Sequence, residues 1–208
     1  SGLFIAVMLT TSIISGTLAK YTTSAASNDK ARVAKWGLGT ATLSIEDLFS
    51  PEYAGTSGNT VVSKYGDDVI APGTTGKTEF AFECSGDAPE VAYTLTVSTE
   101  GSVCDPQIKN NPDIIWSLDG TPCDSFDDML TKIQGLGSTD VIAPNTLPAN
   151  FGASDTHEIS WEWLYENGAD ADAINTQDAQ DTYMGIYAAQ TANIEVSIVI
   201  TITATQVD

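Results

Sequence analysis

Histidine occurs once in the 208 residues, as His157, and cysteine three times, as Cys84, Cys104 and Cys123. One histidine excludes a histidine-built metal centre, and no two cysteines have the Cys-x-x-Cys spacing of a zinc site or redox pair. Basic residues are also scarce. Eight Lys and Arg stand against 28 Asp and Glu, giving a formal net charge of −20. Phosphates are repelled by such a surface, which excludes nucleic acid as a partner. The chain has no Gly-x-Ser-x-Gly elbow, and a Ser/His/Asp triad would have to use His157. That residue precedes Glu158 and the alternating run Ile159-Ser-Trp-Glu-Trp163, so it reads as a strand-edge residue. No enzyme site is expected. Long apolar runs are missing too. Residues 3–19 carry no charge, but Thr10, Thr11, Ser12 and Ser15 interrupt them. Stable membrane insertion of the mature form is therefore not expected.

What is present begins with a misleading motif. Ala71-Pro-Gly-Thr-Thr-Gly-Lys-Thr78 fits a relaxed phosphate-loop pattern. A phosphate loop must open a helix, whose free N–H groups hold the phosphates. Here Glu79-Phe-Ala-Phe-Glu-Cys84 follows, and Phe80, Phe82 and Cys84 alternate with Glu79 and Glu83. Period two predicts a strand with Pro-Gly as the turn before it. Cys84 then shares a buried face with the two phenylalanines and is expected as a free thiol.

The same alternation recurs. Ala41, Leu43 and Ile45 alternate with Thr40, Thr42 and Ser44; Val91, Tyr93, Leu95 and Val97 alternate with Ala92, Thr94, Thr96 and Ser98. Ile194, Val196, Ile198, Ile200, Ile202 and Ala204 form one face of the C-terminal run, opposite a Thr-rich face. Trp161 and Trp163 fall on one face of their run and read as core, with an aromatic sugar platform as the other reading. The pattern predicts an all-β domain of antiparallel strands, a β-sandwich or jelly roll. With 42% hydrophobic residues the chain can bury a core. Helix is expected to be scarce. The best candidate is Ser125-Phe-Asp-Asp-Met-Leu-Thr-Lys-Ile-Gln-Gly135, with Ser125 as N-cap, acids in the first turn and Gly135 as the stop.

Two clusters invite chemistry. Cys104 and Cys123 bracket a turn-rich excursion and are expected to close it as a disulfide. Asp170, Asp172, Asp178 and Asp181 follow a Gly- and Ala-rich stretch, read as a loop able to offer oxygens to Ca²⁺; a solvated acidic loop is the plainer reading.

The charge is unevenly placed. Residues 1–40 carry Lys20, Lys30, Arg32 and Lys35 against Asp29, a net +3. The other 168 residues carry four basic and 27 acidic side chains, a net −23. Leu3, Phe4, Ile5, Val7, Leu9, Ile13 and Ile14 make the start apolar. We read residues 1–30 as an N-terminal apolar and basic assembly segment and 31–208 as the jelly-roll domain. The segment suits the core of a secretion signal, a strand donated to another copy, or a helix bundled with its own copies.

Four stretches, in order, carry a resemblance: Ser15-Gly-Thr-Leu-Ala-Lys20 leading to Trp36-Gly37; Val69 to Val97 with its Pro-Gly turn, strand, turn and strand; His157 to Gly185; and the closing Val196 to Asp208. Together they resemble the TasA/camelysin family of secreted biofilm-matrix fibre proteins with SipW-type signal peptides. The resemblance spans most of the chain. It implies a secreted jelly-roll subunit that polymerises with itself head to tail outside the cell. Its N-terminal segment, including Lys20, Lys30, Arg32 and Lys35, would complete the sheet of the next subunit by donor-strand complementation. The family's mature chains usually begin near the position of Lys20 here, so residues 1–19 depart from its pattern. Another reading keeps the chain as a monomeric cell-surface adhesive or carbohydrate-binding β-sandwich. No cofactor is expected beyond the Ca²⁺ considered above.

Overall fold

The period-two runs become strands that face one core. A computed structural model describes residues 40–44, 48–54, 60–64, 66–81, 89–148, 156–191 and 194–207. The chain divides into Ser1–Trp36 and Gly37–Asp208, and every described residue belongs to the second unit. Leu3 to Ile14, Lys20, Lys30, Arg32, Lys35 and Cys84 lie outside the described residues.

One antiparallel sheet holds β1 (Thr40–Ser44), β12 (Val199–Gln206), β5 (Tyr93–Ser98) and β9 (Ser138–Ile142), in that order. The other holds β4 (Thr75–Ala81), β10 (Thr156–Trp163), β7 (Ile114–Leu118) and β8 (Thr121–Pro122). Two small pairs join β2 (Glu52–Ala54) to β3 (Thr60–Val62) and β6 (Val103–Cys104) to β11 (Val196–Ser197). This is the antiparallel, mostly β architecture that the alternation predicts.

The first sheet sends Tyr93, Leu95, Val97, Ile200 and Ile202 into the core; the second sends Phe80, Trp116, Ile159, Trp161 and Trp163. Ile200 and Ile202 are wholly buried. Each such side chain stabilises the fold by about 1.5–3 kcal/mol relative to leaving it in water. The C-terminal run is divided at Ile198: β11 pairs with β6, whereas β12 lies between β1 and β5, with Leu43 opposite Ile200 and Ile202 opposite Val97. Trp161 and Trp163 are core residues, which removes the sugar-platform reading for them.

Three helices are described. The first, α1, is the short turn Pro106–Lys109. The second, α2, is Phe126–Gln134, where the sequence places it. The Ser125 hydroxyl accepts from the Asp128 N–H at 3.1 Å, as an N-cap does. Phe126, Met129 and Ile133 enter the core, and Phe126 meets Trp116 edge-on. The third, α3, Ala171–Gln190, replaces the expected acidic loop with 20 residues of helix. Asp170 caps it, its Oδ1 accepting from the Ala173 N–H at 2.9 Å. Five alanines and no proline favour the helix within its length. It ends at Thr191, whose backbone is extended. No described helix is long and apolar enough to cross a membrane.

The phosphate-loop motif is also explained. Thr75 to Ala81 is strand β4, and Gly73 takes a left-handed turn at φ +78°. The Gly73 N–H donates to the Trp163 carbonyl at 2.8 Å, and Thr74 Oγ1 donates to the Ala71 carbonyl at 2.6 Å. The turn's polar groups thus serve the sheet, and a strand stands where a phosphate loop needs a helix.

Candidate functional site

The α3 helix lies against the domain on a narrow face. Only Gln177 and Met184 are buried along its length. Gln177 makes that contact polar and satisfied: its side-chain N–H groups donate to the Leu164 carbonyl at 3.2 Å and to Asn167 Oδ1 at 2.9 Å. One full exposed face carries Tyr183 and Ile186, and the Tyr183 and Tyr187 rings stack at 6.2 Å between centroids.

Between α3 and the irregular segment Val69 to Pro72 lies a groove of about 390 Å³. Its walls are Ile70 and Pro72 on one side and Met184, Gly185 and Ala188 on the other. Ile108, Ile194 and Val196 close it, and Trp163 and Asp181 add the polar atoms. Asp68 also lines it and is exposed. A largely apolar cleft of this size with few convergent polar groups is the form that small-ligand sites take.

Asp181 is the unusual member. Its Oδ1 accepts from Trp163 Nε1–H at 2.9 Å. Its Oδ2 is buried without a hydrogen-bond partner. Burial holds the carboxyl above the usual aspartate range, the indole bond opposes this, and the charges of Asp113 and Asp178 add to it. Burial also raises Asp113.

The four acids expected to share Ca²⁺ do not meet at one point. Asp170 caps α3, Asp172 sits in its first turn, and Asp178 and Asp181 follow two to three turns later. At 1.5 Å per residue, Asp170 and Asp178 are separated by about 12 Å along the axis. One Ca²⁺ takes ligands at about 2.3–2.6 Å and cannot span that interval. Among the described residues no three His, Cys, Asp or Glu side chains gather as metal ligands.

The disulfide expectation is likewise corrected. Cys104 and Cys123 are free thiols. Cys104 is fixed on β6 opposite Val196, whereas Cys123 follows β8 and donates its N–H to the Trp116 carbonyl at 2.8 Å. Cys104 is a strand residue of the β6–β11 pair, whereas Cys123 lies just past β8 and is tied to β7. Burial pushes the Cys104 thiol up to about 12 and raises Cys123 as well.

His157 sits on β10 with Nδ1 2.9 Å from Asp119 Oδ2. The other oxygen of Asp119 accepts from the Glu158 N–H at 2.9 Å. Asp119 and Gly120 both have positive φ and form the two-residue turn between β7 and β8. The contact ties a hairpin turn to the neighbouring strand.

The groove was not legible as a site beforehand, because three of its walls come from segments far apart in sequence. The available signal was Asp170 before Ala-x-Ala, a helix start that the density of acids obscured. No family model matches the chain, and comparison with curated proteins returns no match.

Proposed function

We propose that this chain is a structural subunit of an extracellular filament, a pilus or biofilm-matrix fibre. The N-terminal segment of one copy joins the jelly-roll body of the next by donor-strand complementation. The observation that carries the reading is the partition of charge, +3 over residues 1–40 and −23 over the rest, beside an apolar start. Opposite charges on the N-terminal segment and on the rest of the chain favour contact between unlike parts of two copies over like-with-like contact. Such a contact is heterologous and does not close, so it propagates into a fibre. The antiparallel sheets support it further: among the described residues β9 ends one of them, with Val141 exposed, and an added strand gains ladder bonds at such an edge. In this reading the protein is secreted, has no catalytic role and has itself as its partner.

Electron microscopy of the purified chain tests the proposal. Regular fibres are expected from the full chain, and monomers from a variant lacking residues 1–19. Dispersed particles from the full chain would favour a monomeric adhesive domain. Fibres from the truncated chain would move the assembly element past Ala19.

A further inference from the structure

The seam between α3 and the rest of the domain is thinly held for a helix of 20 residues. Gln177 and Met184 are its buried side chains. Beyond the Gln177 bonds, its polar ties are few. Trp163 Nε1–H donates to Asp181 Oδ1 at 2.9 Å, Gln180 Nε2–H to Asn111 Oδ1 at 3.3 Å, and the Tyr187 hydroxyl to Asp105 Oδ2 at 3.2 Å. Three buried side-chain polar atoms lack a partner among the described residues, and two of them, Asp181 Oδ2 and Asn111 Nδ2, belong to this seam. Each weakens the seated state, because it gave up water and gained no bond in return. An element held in this way opens locally before the domain unfolds.

Asp181 also lacks a counter-charge. The titratable groups around it are Asp113 ahead of β7, Asp178 one turn back on α3, Asp68 across the groove and Tyr165 just after β10. Lys77, Lys109 and Lys132 are engaged elsewhere, with Glu158, Asp127 and Asp128. A carboxyl sunk among apolar walls and like charges favours its neutral form. Burial raises it, with Asp113 and Asp178 adding to the rise against the opposing indole bond. No molecule in the groove can touch the closed-off oxygen, but a proton needs no cavity and enters through local openings of the helix.

We infer that α3 is a proton-latched helix, seated on the domain when Asp181 is protonated and loosened from it when Asp181 is ionised. The direction follows from linkage. The seated state holds the proton more tightly than the loosened state, where Asp181 returns to its ordinary value near 3.8. Seating is therefore strongest below that value and weakens as pH rises through the seated one. Loosening opens Ile108 and Trp163, which line the groove with Met184, so pH sets how much apolar surface the domain shows. The inference stands apart from the filament reading, because it concerns a single subunit.

Amide hydrogen exchange of the full chain from pH 3.5 to pH 7, corrected for the intrinsic pH dependence of exchange, tests the latch. Protection of the α3 amides, taken relative to β10 and β12, should fall by about threefold or more across that range. Asp181→Asn keeps an acceptor for the Trp163 indole and cannot ionise. Its α3 should stay protected at pH 7, with the pH dependence gone. Asp178→Asn, at an exposed position of the same helix, should keep that dependence. Trp163→Phe removes the donor that favours the ionised form, so the midpoint of loosening should move to higher pH. A purely structural role for Asp181 would move no midpoint. Wild-type α3 protection that ignores pH overturns the latch without any variant. So does a loss shared equally by β10 and β12, which would make the effect global. A pH dependence that survives Asp181→Asn, or a midpoint unmoved in Trp163→Phe, overturns it as well.

Discussion

Trp163 and Asp181 face each other across the junction of β10 and α3, with the indole N–H donating to the carboxylate at 2.9 Å. The bond joins a core strand to a helix that has little other buried attachment. It also fixes the sign of a pH effect. Burial raises the Asp181 value in the folded protein above the unfolded value near 3.8. The folded state therefore holds this proton more tightly than the unfolded state. Its contribution to stability grows as pH falls through the folded value, and the ionised form costs stability above it. Asp181→Asn should thus melt at or above wild type at pH 7. The difference should shrink on acidification and reach its minimum below the unfolded value. Thermal melts of both proteins from pH 7 to pH 3.5 check this, and a variant that loses ground steadily toward pH 7 contradicts it.

Gly76 has a different reason to be irreplaceable. Trp161 donates its indole N–H to the Leu48 carbonyl at 2.9 Å, and this bond passes directly over Gly76. A Cβ at that position would run into both the carbonyl oxygen and the indole. Gly76→Ala should cost about 2–4 kcal/mol, combining overpacking with a lost hydrogen bond in a closed site. Urea unfolding measures it, and a loss below about 0.5 kcal/mol would show that the Leu48 segment yields freely.

The cysteines give a chemical test. In denaturant without reductant, all three should alkylate, because Cys104 and Cys123 are free. In the native protein Cys104 should be slow. With its thiol raised from 9.0 to about 12, its thiolate population near pH 8 is about a thousandfold below that of an ordinary thiol. Mass spectrometry of timed alkylation reads both. One label in denaturant, in place of three, would restore the disulfide.

The sheets were legible because the buried strands alternate strictly. Tyr93, Leu95 and Val97, then Ile198, Ile200 and Ile202, point inward at every second position. The α2 helix was legible because its cap, first-turn acids and buried stripe agree. The α3 helix was not, since it buries so little that no apolar stripe marks it. Its alanines supply propensity, which is weak evidence beside a cluster of acids. The division of the C-terminal run at Ile198 was hidden as well, because the alternation passes through the break undisturbed and only the pairing partners change.

The position of β12 also governs when the molecule can fold. It is an interior strand of its sheet, yet it lies far along the chain from both of its neighbours. Thr40 to Ser44 must wait for a partner more than 150 residues away, and Tyr93 to Ser98 for one about 100 residues away. A nascent chain that has not reached Val199 holds only the β5–β9 half of this sheet as paired strands. Contacts of such sequence separation slow the search for the native state. Until Val199–Gln206 has been made, the β5 strand has one flank open to the wrong neighbour, which exposes the nascent chain to aggregation.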